Sequence, residues 1–187
     1  MPQKKDNKEP SPEIKRLQAD VKGGQGSFFL AVIISIVYIV KMLIGRNFNF
    51  FFSLFVPELL LKSARFTAEY PATFGAQYAP FFRENLLGKL PNLAVWIALA
   101  VIYGAAVTFA IVARKKHMFV IGELVIYGTD TVLLLFSRLF AFPETLSLNS
   151  WIDPVFHIFV LALLVRSVVA TVKLKKRGFT EAQMDFY

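Results

Sequence analysis

A run of apolar and small residues extends without a charge from Leu93 to Ala113, and this run restricts the possible folds more than any other feature. As an α-helix it would be about 32 Å long at 1.5 Å per residue, which matches a hydrocarbon core of about 30 Å. The chain as a whole is 56% hydrophobic and contains 20 Phe among 187 residues, which is more apolar surface than a soluble domain of this size can bury. The chain therefore belongs in a lipid bilayer.

Three further apolar runs divide the chain in the same way. We predict transmembrane spans at residues 27–45, 92–113, 118–142 and 152–172. Only helices and closed barrels satisfy their backbone hydrogen bonds in hydrocarbon, and these runs are far longer than the roughly 10-residue strands of a barrel. The fold class that follows is an all-α membrane protein with a four-transmembrane-helix bundle.

Lysine and arginine residues concentrate at one end of the predicted bundle. Thirteen of them lie in the two tails, residues 1–26 and 173–187, and in the connection Arg114–His117. Only 5 lie in the loop 45–92. Basic segments remain on the cytoplasmic side, so both termini are predicted to be cytoplasmic, and we expect a bacterial cytoplasmic membrane. Since these basic flanks would meet lipid headgroups, the net charge of +8 gives no reason to expect nucleic acid as a partner.

The first tail contains a possible surface helix. Ser11 can cap a helix that has Pro12 in its first position and ends near Gly23 and Gly24. Ile14, Leu17 and Val21 would lie on one face of this helix. We expect a short amphipathic helix on the cytoplasmic membrane surface, separate from the first span, with a disordered tail as an equal alternative.

Residues 46–91 form the predicted extracytoplasmic loop, which begins with a Phe-rich segment. The nine residues from Phe48 to Val56, which include Phe51, Phe52 and Phe55, would reach only about 14 Å as a helix, too short to cross the core. The segment must lie in the interface, re-enter the membrane or bind a partner. Re-entry is disfavoured because no glycine lies between Phe48 and Val56, so we expect these phenylalanines to contact lipid or a partner.

The third span carries ionisable residues on one face. At 100° per residue from Glu123, Tyr127 falls at about 40°, Asp130 at about −20° and Arg138 at about 60°. A charge at the bilayer centre costs about 2.5–3.5 kcal/mol even on the gentler scale. This polar stripe is therefore predicted to face protein or water rather than lipid.

The depth of each group suggests its partner. Glu123 and Arg166 of the fourth span lie at similar depths from the cytoplasmic ends, so we predict that they pair. Asp130 is level with Tyr103 of the second span, whose hydroxyl can donate to it; alternatively, Asp130 stays protonated. Arg138 lies near the outer face, where its side chain can reach the headgroups.

Small residues recur on the second span. Ala100, Gly104 and Thr108 are four positions apart, a spacing that lets the backbone of a neighbouring helix approach closely. We interpret this face as a helix-packing surface of the bundle, and only secondarily as a dimer motif.

The sequence offers little support for catalysis, and we predict no catalytic residue, metal or cofactor. The chain contains no Cys, and its two histidines, His117 and His157, are predicted at opposite ends of the bundle, where they cannot share one metal or haem. Phosphate-binding, dinucleotide-binding, nucleophile-elbow and zinc-protease motifs do not occur.

The predicted function is that of a non-catalytic subunit that anchors, stabilises or assembles a larger membrane complex. Its partners would be the lipid bilayer and other membrane protein subunits in a hetero- or homo-oligomer. Contiguous apolar surface in the Phe-rich loop is the motive, because such surface usually marks an interaction site. The alternative is a small oligomeric ion- or proton-coupled transporter or channel that uses Asp130 and Glu123. A third possibility is lipid-headgroup binding by the basic ends and the aromatic loop.

Overall fold

The computed structural model describes residues 11–43, 53–61, 93–141 and 152–180, together with Met184. This part of the chain is helical and contains no strand. The main helices are α1 (Pro12–Leu43), α2 (Leu93–Lys115), α3 (Val120–Phe136) and α4 (Ile152–Lys176). A 3₁₀ turn at His117–Phe119 precedes α3, and a π-helical turn at Ser137–Ala141 follows it. Residues 55–61 form a further short helix.

Four helical stretches within the described residues are long and apolar enough to cross a membrane. They are Pro12–Lys41, Leu93–Lys115, His117–Leu139 and Ile152–Lys176. The protein is therefore an all-helical protein with four candidate membrane spans, in agreement with the coarse fold class predicted from the sequence. The short turn between α2 and α3 places these two helices side by side and antiparallel.

The N-terminal part of α1 differs from the prediction. Ser11 does begin the helix, with its Oγ 3.4 Å from the backbone nitrogen of Ile14. The helix, however, continues through Gly23 and Gly24 to Leu43 as one unbroken element, so the predicted break is wrong. The apolar face of the first turns is covered by the last turns of α4, around Ala170 and Leu174. This face is therefore buried against protein and does not lie on the membrane surface.

Gly24 lies at a close contact between α1 and α4. A Cβ atom at this position would lie 2.4 Å from Cβ of Ser167 and 2.8 Å from the backbone oxygen of Leu163. The missing side chain thus lets α1 and α4 approach at van der Waals distance, as small residues do in membrane bundles. Two ion pairs, Asp20 with Arg166 and Glu13 with Arg177, extend this contact.

The packing surface of α2 also differs from the prediction. Ala100, Gly104 and Thr108 are exposed, and no described atom lies within 4 Å of a Cβ built on Gly104. The bundle is instead packed against the alanines Ala106, Ala110 and Ala113, which are buried. The alanines thus face the bundle, and the predicted small-residue face is exposed as far as the described residues extend.

Residues 53–61, which we call the inserted segment, lie inside the bundle. Leu54 belongs to the central core with Phe28, Tyr127 and Leu164, and Leu61 packs in a second cluster with Leu99. The sequence had instead favoured contact of this segment with lipid or a partner. Phe55 is only 9% exposed, which corrects its expected contact with lipid or a partner. The predicted contacts at Phe48, Phe51 and Phe52 lie outside the described residues.

Candidate functional site

The candidate site is built on the buried face of α3. Glu123, Tyr127 and Asp130 are all buried, with exposed fractions of 0%, 0% and 4%. Their spacing of three and four residues places them on one side of the helix, which faces the other helices of the bundle. Arg138 lies two turns beyond Asp130, in the π-helical turn, and is half-buried.

Asp130 anchors the inserted segment. Its Oδ2 accepts a hydrogen bond of 2.8 Å from the backbone N–H of Phe55, and its Oδ1 accepts one of 2.8 Å from that of Val56. These two N–H groups begin the short helix 55–61 and have no partner within that helix. A carboxylate at this position satisfies both donors and interacts favourably with the helix dipole. Asp130 thus allows the N-terminal end of the helix 55–61 to lie within the bundle.

His157 of α4 faces Asp130 from the other side. Its Nε2 lies 3.4 Å from Oδ2 of Asp130, which is an ion-pair distance when the imidazole is protonated. Its Nδ1 lies 3.0 Å from the backbone oxygen of Asp153 and 3.1 Å from Oδ1 of the same residue. Nδ1 is thus within hydrogen-bond distance of Asp153, whereas Nε2 faces Asp130 without a hydrogen bond among the described residues.

Aromatic rings complete the wall around His157. The ring of Tyr127 stacks on the imidazole with a centroid distance of 5.3 Å and an interplanar angle of 19°. Phe28 meets the same tyrosine edge-on at 6.3 Å. Stacking on an aromatic face is favourable for a cationic ring and fixes its orientation. The pair of Asp130 and His157 is consequently held in place from α1, α3, α4 and the inserted segment.

Sequence reasoning missed the role of His157, because we considered this residue only as a ligand for a metal or haem. The usable signal was local. Asp153 precedes His157 by four residues, so both lie on one face of α4. What the sequence could not indicate was the presence of the inserted segment at this depth.

The predicted partners of the polar stripe are wrong. The hydroxyl of Tyr103 lies 2.6 Å from that of Ser35 on α1 and does not contact Asp130. Arg166 pairs with Asp20 at 2.6 Å and not with Glu123. In both cases α1 supplies the competing partner: Asp20 lies in the part of α1 that precedes the predicted first span, and Ser35 lies within that span.

Glu123 interacts electrostatically with Arg114 but forms no hydrogen bond within the described part of the chain. Neither of its carboxylate oxygens has a hydrogen-bond partner among the described residues, although the side chain is fully buried. The hydroxyl of Tyr127, one turn further along α3, also lacks a partner in this part of the chain. A buried carboxyl group without a hydrogen bond is costly in the ionised state.

A groove of about 360 Å³ opens on the side of the bundle between α2 and α3. The inserted segment closes its inner end, and Asp130 lies there with Thr129. The other lining residues are apolar and include Val101 and Ala105 of α2 and Val125 of α3. The groove thus adjoins the exposed face of α2 that carries Gly104. In the described part of the chain, no three histidine or acidic side chains are grouped as a metal site.

Comparisons with protein-family models, with curated proteins and with solved structures find no match to this chain. The functional argument therefore rests on the geometry.

Proposed function

We propose that this chain is a non-catalytic subunit of a membrane complex, and that α2 packs against a transmembrane helix of another subunit. The observation that carries the proposal is the exposed face of Ala100, Gly104 and Thr108 on α2. Faces of small residues allow helix backbones to approach closely in lipid, and within this chain nothing described occupies the face. The adjoining groove beside Val101 and Ala105 offers space for the larger side chains of such a helix.

The role of Asp130 favours an architectural function. An isolated acid at mid-depth in a membrane usually indicates a transport or proton site. Here two backbone N–H groups and His157 surround the carboxylate, which ties the inserted segment to α3 and α4. The ionisable residue is thus used to build a rigid bundle surface.

The orientation and location complete the proposal. The contacts of α1 with α4 bring the basic end of α4 to the start of α1, and Gln25 joins α1 to the end of α2. Three basic segments therefore meet at one end of the bundle. We propose that this end is cytoplasmic, with both termini inside, and that the membrane is a bacterial cytoplasmic membrane.

The substitution Gly104→Leu tests the proposal. It is expected to weaken association by about 1–3 kcal/mol, or roughly 5- to 150-fold, because the added side chain overfills the helix contact. The fold should persist, since no described atom lies near this position. The measurement is the amount of partner subunit or oligomer that copurifies after extraction from native membranes in mild detergent.

The matched control is Ala162→Leu, which adds comparable bulk to an exposed small residue of α4. This variant should retain its partners. Equal copurification with both variants would contradict the proposed interface, and a parent protein that is extracted only as a monomer without partners would contradict the subunit function.

A specific observation also favours the second candidate, a small oligomeric ion- or proton-coupled transporter or channel. Glu123, Tyr127, the pair Asp130 and His157, and Asp153 form a series of buried or half-buried polar groups along α3 and α4. Glu123 and Tyr127 have oxygen atoms without hydrogen-bond partners among the described residues, so they are available to hold and pass a proton.

For this candidate, proton flux into proteoliposomes is the deciding measurement. If the series conducts protons, Glu123→Gln should reduce the flux at least about tenfold, because an amide cannot accept and release the proton as a carboxyl group does. Arg138→Gln, a change of charge outside the series, is the control. Absence of flux with the parent protein, or an undiminished flux with Glu123→Gln, would remove this candidate.

A further inference from the structure

A second pocket lies at the basic end of the bundle, between α1 and α2. Its volume is about 410 Å³, within the range of small-molecule sites, and it is lined by Lys22, Gln25, Gly26 and Arg114. We call it the basic pocket. It is separate from the groove beside Asp130, and neither candidate function uses it.

The basic pocket lies at the level where the apolar parts of the two helices begin. Gln25 precedes the apolar part of α1, and Arg114 follows that of α2 directly. The side-chain amide of Gln25 donates a hydrogen bond of 2.7 Å to the backbone oxygen of Ala113 and lies 3.0 Å from Nδ1 of His117. These contacts hold the start of the apolar part of α1 and the end of α2 at equal depth. In a bilayer this depth corresponds to the headgroup region.

The charge of the pocket is positive, and Glu123 of α3, which interacts electrostatically with Arg114, is outside its lining. No acidic side chain lines it. The nearby acids of α1 are engaged elsewhere, since Asp20 pairs with Arg166 and Glu13 pairs with Arg177, both on the side of α4. No carboxylate in the described part of the chain forms a salt bridge with Lys22 or Arg114. Two cations at one cavity therefore favour an anion.

The side chain of Arg114 is oriented to bind an anion. Its guanidinium carbon lies 4.0 Å from the centroid of the Phe29 ring, so the planar group stacks on an aromatic face. Stacking uses the face of the guanidinium and leaves its N–H groups at the edge, where they can bind two phosphate oxygens at once. The free edge of Arg114 therefore matches a phosphate group.

An exposed apolar track leads from the pocket into the membrane. Leu30, Ile33 and Val37 lie within about 40° of Gly26 on the surface of α1, at 100° per residue. All three are exposed, Leu30 to 53%, and Ile111 is exposed on α2 below Arg114. A ligand with a charged phosphate and long hydrocarbon chains would match both the pocket and the track.

We propose that the basic pocket binds the phosphate of an anionic phospholipid, with the acyl chains lying along Leu30, Ile33 and Val37. Basic pockets between transmembrane helices at the cytoplasmic side are suited to such headgroups. Gly26 leaves the pocket open, because no described atom lies within 4 Å of a Cβ at this position. The site depends neither on the partner helix nor on proton transfer.

The test uses the full-length protein, freed of lipid in detergent and titrated with phosphatidylglycerol, phosphatidylcholine or inorganic phosphate. Native mass spectrometry counts the bound lipid, and thermal unfolding reports the effect of inorganic phosphate. We expect phosphatidylglycerol to bind at least about tenfold more tightly than phosphatidylcholine, which carries no net charge. Inorganic phosphate should give little stabilisation, since it cannot occupy the apolar track.

Charge variants identify the pocket. The double substitution Lys22→Gln with Arg114→Gln should weaken phosphatidylglycerol binding roughly 30-fold, at about fivefold for each basic residue near the headgroups. Lys115→Gln with Lys116→Gln makes the same change of net charge beside the pocket, and its effect should be less than about threefold. Equal losses for the two double variants would overturn the assignment to this pocket.

Two glycine variants provide a test that does not alter charge. Gly26→Leu places a side chain in the pocket, whereas Gly23→Leu changes the same helix one turn earlier, where no described atom lies within 4 Å of a Cβ either. Gly26→Leu should abolish preferential phosphatidylglycerol binding, and Gly23→Leu should retain it. If a charge variant fails to fold, this pair decides the question, with unfolding of both proteins in lipid-free detergent as the folding control.

Three results would overturn the proposal. Phosphatidylcholine binding as tightly as phosphatidylglycerol would exclude recognition of the negative charge. Stabilisation by inorganic phosphate equal to that by phosphatidylglycerol would assign the pocket to a soluble phosphate compound. Unchanged phosphatidylglycerol binding by Gly26→Leu would exclude this pocket as the site.

Discussion

Asp130→Ala is expected to lower the free energy of unfolding by about 3–5 kcal/mol, the usual consequence of removing one partner of a buried charged pair. The substitution leaves the N–H groups of Phe55 and Val56 without their acceptor and His157 without its carboxylate. Phe55 and His157 are buried, so the groups that faced Asp130 cannot simply be hydrated instead. Denaturant titration in mixed micelles measures the change.

A labelling experiment shows whether the inserted segment is released. The chain contains no Cys, so Ser53→Cys introduces a single thiol at a position that is 1% exposed. This thiol should be protected from a water-soluble maleimide in the parent background and should react in the Asp130→Ala background.

Glu123→Gln is the matched control for Asp130, because it alters a second buried acid on the same face of α3. It should not reduce stability, since the carboxylate oxygens of Glu123 have no hydrogen-bond partners among the described residues to lose. An Asp130→Ala protein as stable as the parent, with a protected thiol at position 53, would show that Asp130 does not anchor the inserted segment.

Gly24→Ala is expected to destabilise the protein by about 1–3 kcal/mol, as overpacking of a close contact does. The new methyl group would lie 2.8 Å from the backbone oxygen of Leu163 and 2.4 Å from Cβ of Ser167, and backbone atoms cannot move aside as a side-chain end can. The helices α1 and α4 must separate, which also strains the pair of Asp20 and Arg166. Unfolding in mixed micelles again gives the free energy.

For the neighbouring glycines, we expect the opposite effect on stability. Gly23→Ala and Gly26→Ala place their methyl groups in open space, so they should stabilise α1 by up to about 1 kcal/mol through the better helix propensity of alanine. Three substitutions within four residues thus separate a packing effect from a propensity effect. A similar gain for Gly24→Ala would mean that α1 and α4 do not approach at this point.

Helical periodicity correctly predicted the features that depend on a single helix. The length and apolarity of the four runs predicted the four candidate spans, because a bilayer requires about 20 apolar residues per helix. The phase of Glu123, Tyr127 and Asp130 predicted a common face, and the structure buries all three. Arg138 lies half-buried in a π-helical turn, which leaves no clear mark in composition and was not predicted.

Partner choice was less predictable. Depth matching proposed Arg166 for Glu123 and Tyr103 for Asp130, but any group at the same depth on another helix competes equally well. Asp20 and Ser35, both on α1, occupy these positions in the structure. For Asp20, this proximity requires the close approach of α1 to α4, which the missing side chain of Gly24 permits.

The sequence by itself determined that this protein is a helical bundle for a membrane, because hydrophobic length and backbone satisfaction in lipid leave no other fold class. It also determined which side of α3 is polar. Only the tertiary structure decided that residues 53–61 enter the bundle and that Asp130 binds them. A segment that short provides too little apolar length to indicate its place, and the acceptor that satisfies its first N–H groups lies 74 residues further along the chain from Val56. Backbone hydrogen bonds to so distant a side chain follow from packing and not from any local pattern.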